Sequence, residues 1–106
     1  MPTPTIVNLV GVKYVEEHLN NQNYSIAATI KENKDDFFLL ANSAEKNILV
    51  KVISVLRPFD PVSLTDELRS FIKNKALLYK RTPYIATVIM HPDSSIVEEI
   101  NWLMLD

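Results

Sequence analysis

Apolar residues recur along this chain with two different periods, and the switches between them mark out its elements. Val7, Val10, Tyr14 and His18 repeat every three or four positions, while Lys13, Glu16 and Glu17 point elsewhere. That spacing predicts a helix opening at Pro4, where a missing N–H is harmless, with Thr3 as its cap. Ile6 and the neighbouring valines leave a strand start open there. Asn20 to Asn23 end the segment, because asparagine tolerates the left-handed conformation of a helix stop. From Tyr24 to Ile30 the period drops to two, with Tyr24, Ile26, Ala28 and Ile30 on one side. This predicts a half-buried strand. After a turn at Glu32 to Asp35 come a short apolar run, Phe37 to Ala41, a second turn at Asn42 to Glu45, and a long β-branched run, Ile48 to Leu56. The last is apolar on both faces except for Lys51 and Ser54, as expected of a strand covered on both sides. Turns this short make the three strands an antiparallel meander.

Pro58 and Pro61 cannot donate to a ladder, so the sheet pattern breaks there. Ser63 is expected to cap a second helix with Asp66 in its first turn. Leu64, Leu68, Phe71, Ile72, Leu78 and Tyr79 form its apolar face; Arg69, Lys73 and Lys80 share another. Thr82-Pro83 should stop it. Tyr84 to Met90 reads as a buried strand ended by His91-Pro92-Asp93. Ser95 with Glu98 forms a capping box that predicts a last helix over Ile96 to Leu103, although Ile100 to Leu105 fit a short strand as well. No repeat, low-complexity stretch or internal boundary interrupts the 106 residues, so one α+β domain over 1–106 is expected.

Composition removes several classes of function. The chain has no cysteine, and its two histidines, His18 and His91, are far apart, so a thiolate or zinc site is not expected. A single glycine, Gly11, excludes glycine-rich phosphate loops by count. No run reaches the roughly 18 apolar residues of a membrane span, and the amino terminus lacks a basic n-region, so a cytoplasmic location without membrane attachment is expected. Net charge is −2, yet residues 57–81 hold six basic side chains against three acidic ones. A local positive stripe of Arg69, Lys73 and Lys80 therefore qualifies as a nucleic-acid contact, with a solvated helix face as the plainer reading.

Helix, three-strand meander, helix, strand is an order that resembles the PD-(D/E)xK, or restriction-endonuclease-like, nuclease superfamily, including Mrr-like enzymes and archaeal Holliday-junction resolvases. Gly11-Val12-Lys13-Tyr14-Val15-Glu16-Glu17 is similar to its first helix. Asp36-Phe37-Phe38-Leu39-Leu40 is similar to its metal-binding second strand, and Leu49-Val50-Lys51-Val52-Ile53 to its third. The resemblance implies an αβββαβ core with a mixed sheet flanked by helices. It also implies a magnesium site in which Asp36 and a strand-three glutamate hold the ion, while a lysine two residues on orients water. Here Lys51 stands at the glutamate position and Ile53 at the lysine position, so the site reads as degenerate.

Two rearrangements remain open. Lys51 fills the catalytic lysine role if the motif slides by two residues. Lys75 fills it if the lysine has moved to the following helix, where the alternative is a side chain snorkelling at the core edge. Glu16 or Glu17 would then supply a second carboxylate. Asp35 and Asp36 also fit a plain hairpin turn, and Trp102, Met104 and Leu105 fit core closure or a dimer contact. Three functions follow. The chain is expected to be an inactive nuclease-like domain binding nucleic acid or a partner protein; the alternatives are a homodimeric interaction module, and a magnesium-dependent nuclease built on Asp36 with Lys51 or Lys75.

Overall fold

A computed structural model describes residues 4–31, 37–57, 65–93, 95–96 and 100–105. Helix α1 spans Pro4–Asn21, followed by strands β1 (Ser25–Lys31), β2 (Phe37–Asn42) and β3 (Asn47–Leu56). Helix α2 (Asp66–Leu78), β4 (Thr82–Met90) and β5 (Asn101–Met104) complete the order. The strands form one mixed sheet in the order β1-β2-β3-β4-β5. Neighbours are antiparallel except β3 and β4, which run parallel and are joined through α2, as a parallel pair requires a crossover. The architecture is therefore α+β, with the meander where the short turns placed it.

Strand periodicity splits the core in two. Phe37, Leu39 and Ala41 of β2, Ile48, Val50 and Val52 of β3, and Ala86, Val88 and Met90 of β4 pack with α1. The intervening Phe38, Leu40, Leu49 and Ile85 pack with Ile72 and Ala76 of α2. Successive side chains of a strand point to opposite faces, so the sheet is a middle layer between the two helices.

The face of α1 differs from the expected stripe. Val7, Gly11, Val15 and Leu19 form its buried ridge at a spacing of four, with Val12 beside them, whereas Val10, Tyr14 and His18 flank it half-buried. Gly11 lies in this ridge because β3 comes very close. A Cβ there would fall 1.8 Å from the Ser54 hydroxyl oxygen and 2.9 Å from the Ser54 Cβ. Asn23, at φ 68°, ends the helix as expected. The proposed cap Thr3, the turn Glu32 to Asp35 and Asp36 lie outside the described residues.

Three expectations for the second half are corrected. The cap of α2 is Thr65, whose hydroxyl accepts from the Leu68 N–H at 3.1 Å; Ser63 and Leu64 lie outside the described residues. The helix stops at Tyr79 and Lys80, before Thr82-Pro83. Lys80 adopts φ 56°, its N–H reaches Leu77 O at 3.1 Å, and the Arg81 N–H reaches Ala76 O at 2.8 Å. This is a Schellman ending made without glycine. Leu78 consequently points to solvent, 77% exposed, away from the apolar face expected for it. Finally, the last element is a strand: Ala86 pairs with Trp102 and Tyr84 with Met104. The Ser95 hydroxyl donates to Asp93 Oδ1 at 2.6 Å, and Ile96 bridges Met90. Glu98 lies outside the described residues.

Candidate functional site

Lys51 is the one charged residue buried in the described core, 6% exposed. Period-two alternation places it on the α2 face between Leu49 and Ile53, directly opposite Phe38 in the β2–β3 register. Its Nζ lies 5.2 Å from the centre of the Phe38 ring. Lys75 descends onto the same ring from α2, its Nζ 5.0 Å from the ring centre. Phe71 and Tyr79, one turn before and one turn after Lys75 on the helix, flank this ammonium at 5.9 Å and 5.8 Å. Aromatic faces carry negative potential, so a half-buried ammonium is held there at little cost. The two lysines singled out from sequence thus converge on one phenylalanine between sheet and helix.

The other candidates are distributed differently. Arg69 and Lys73 are exposed, four residues apart on α2. Lys80 is not on that stripe, because the helix has ended and turned left-handed before it. Arg81 is a structural residue. Its Nη1 donates to Ala41 O at 3.0 Å and Asn42 Oδ1 at 2.6 Å, pinning the β2–β3 end to the start of β4. Glu16 and Glu17 belong to α1, which packs on the opposite face of the sheet from Lys51. Asp36 lies outside the described residues.

A magnesium ion needs several anionic oxygens at short range. Among the described residues no group of three or more His, Cys, Asp or Glu converges. What the α2 face offers instead is two ammoniums and an aromatic ring. Both lysines have further partners of their own, and Asp36, which the nuclease resemblance implies as a metal ligand, lies outside the described residues.

A second constellation was not foreseen. On the α1 face, the end of α1 and the starts of β1, β3 and β4 enclose a cleft of about 180 Å³, lined among others by His18, Gln22, Tyr24, Lys46, Tyr84 and Trp102. The Trp102 ring lies 5.4 Å from His18 and 6.4 Å from Tyr84, edge-on to the latter. Lys46 donates a hydrogen bond to the Tyr84 hydroxyl and lies 5.0 Å from that ring's centre. Its backbone is fixed by the hairpin turn, where the Ser43 hydroxyl accepts from the Lys46 N–H and donates to its carbonyl. The Tyr84 hydroxyl holds the Lys46 ammonium above the ordinary lysine value. The Trp102 Nε1 is buried and has no hydrogen-bond partner among the described residues. These aromatics come from three separate stretches of chain, so no local motif announces them; the only sequence signal was one tryptophan near the carboxyl end.

No protein-family model matches the chain, and no curated protein matches it. Among the described residues no helix is long and apolar enough to cross a membrane.

Proposed function

We propose that this chain is a catalytically degenerate domain of the PD-(D/E)xK type that binds nucleic acid through its phosphates without cutting it. The convergence of Lys51 and Lys75 on Phe38 carries the reading. It puts two ammoniums, each with further partners of its own, where such a nuclease would gather carboxylates around a metal. The order helix, antiparallel meander, crossover helix and parallel strand supports the same reading. Arg69 and Lys73 on the outer side of α2 extend the positive surface, and phosphate contacts need only such cations, without base-edge chemistry.

Binding of labelled duplex DNA and of RNA, followed by anisotropy at about 50 mM salt, tests this directly. Saturable binding that weakens in Lys75→Gln and in the pair Arg69→Gln/Lys73→Gln supports the proposal. Absence of binding to either polymer removes it. Plasmid cleavage in magnesium that disappears in Asp36→Ala would replace it with an active nuclease.

One observation favours a second reading, an interaction module. Phe71, Leu77 and Leu78 expose 52%, 76% and 77% of their surface along α2. A stable dimer in solution that Leu77→Lys/Leu78→Lys dissociates, together with no nucleic-acid binding, supports that reading instead.

A further inference from the structure

We propose that the cleft between α1 and the β3–β4–β5 edge is a mononucleotide site, taking the base against Trp102 and Tyr84 and the phosphate on Lys46. The cleft has room for one flat ring system, while sugar and phosphate stay at its mouth. Its walls are rings that meet at right angles, Tyr84 and Trp102 having an interplanar angle of 80°. A heteroaromatic ring entering that corner stacks on one and meets the edge of the other.

The polar groups around it are mainly donors. Lys46 has three N–H bonds and places one on Tyr84, leaving two. The Trp102 indole N–H, a donor with no acceptor capacity, has no partner among the described residues. That buried donor lies beside the cleft wall, where its environment changes when a ring packs against Trp102. Among the described residues no carboxylate lines the cleft, although Glu45 beside Lys46 also favours its ammonium. Beyond the shared wall of His18 and Trp102, a larger hollow contains Glu17. This acidic neighbour fixes the polarity of the ligand, with the anionic end at Lys46 and the uncharged end away from it. The site lies on the opposite sheet face from Lys51 and Lys75 and does not depend on their role.

Because the chain has one tryptophan, the indole N–H cross-peak of a nitrogen–proton correlation spectrum reports on this cleft alone. Titration with AMP is expected to shift that peak saturably. Adenosine and ribose 5-phosphate should each bind about tenfold more weakly, since each lacks one of the two contacts. Lys46→Ala, at an exposed position, should lower AMP affinity about tenfold and leave adenosine unchanged. Lys75→Ala should change neither. An indole peak unmoved by AMP at roughly 10 mM overturns the proposal. So does ribose 5-phosphate binding as tightly as AMP, which would make the cleft a simple anion site. Equal AMP affinity in Lys46→Ala overturns the phosphate assignment.

Discussion

Ser54 faces α1 across Gly11, and the contact decides what a side chain at Gly11 would do. In an open helix, alanine in place of glycine gains about 1 kcal/mol. Here the added Cβ meets the Ser54 hydroxyl oxygen at 1.8 Å, so the helix must lift from the sheet. Gly11→Ala is expected to destabilise by about 1–3 kcal/mol in urea unfolding, and Ser54→Gly in the same chain to recover part of that. A stabilised Gly11→Ala would show that the two elements are not in contact. Lys46 gives a pH prediction. Its ammonium is held above its ordinary value by the Tyr84 hydroxyl. The hydrogen bond therefore contributes fully below the ordinary lysine value and is lost as pH rises through the raised one. In Tyr84→Phe the Lys46 titration, followed by NMR, should move down toward the ordinary value, and the small contribution of the bond to stability near neutrality should be lost. At this scale the chain was partly legible. Lys51 and Lys75 were visible because the nuclease resemblance marked their positions, and the strand and helix periods placed each on its element's inner face. Lys46 and Trp102 were not, because each gains its role only from residues distant in sequence.

Helix α2 shows what local chemistry settles and what it leaves open. Its residues 66–78 agree with the apolar spacing of Leu68, Ile72 and Ala76, but both ends were displaced. Cap propensity slightly favours Ser63 over Thr65, yet the Thr65 hydroxyl accepts from the Leu68 N–H and makes it the cap. Thr65→Ala is expected to cost about 1 kcal/mol in thermal or urea unfolding. At the other end a lysine occupies the left-handed position where glycine is preferred, so the stop carries no composition signal. Lys80→Gly should stabilise by up to about 1 kcal/mol through relief of that backbone conformation. A loss of stability instead would mean that the lysine side chain outweighs its backbone cost. The last element was misassigned for a related reason. Ser95 and Glu98 have capping-box spacing, but the described residues 101–104 pair as a strand with β4, and the Ser95 hydroxyl and N–H donate to Asp93 Oδ1 at 2.6 Å and 3.0 Å. The same two bonds hold the Asp93 carboxyl below the usual carboxylate range.

At the level of the molecule, a sheet with a helix on either face was readable because Phe37 to Ala41 and Ile48 to Leu56 are apolar on both sides. Pairing of β5 with β4 was not, since four residues carry too little pattern to choose a partner. The net charge of −2 limits what a polymer can gain, so nucleic-acid affinity must come from a few local cations. If Lys75, Arg69 and Lys73 are the ones engaged, the logarithm of affinity should fall against that of salt with a slope no steeper than about −3. A much steeper slope would place the contacts elsewhere. The edge of the sheet has a consequence of its own. Among the described residues, Trp102, the chain's sole strong fluorophore, sits on the shortest strand, which pairs with β4 alone. Such a strand is the part most ready to peel away before the remainder melts. Emission should therefore change at lower denaturant than far-ultraviolet dichroism, recording a frayed margin while the interior is still intact.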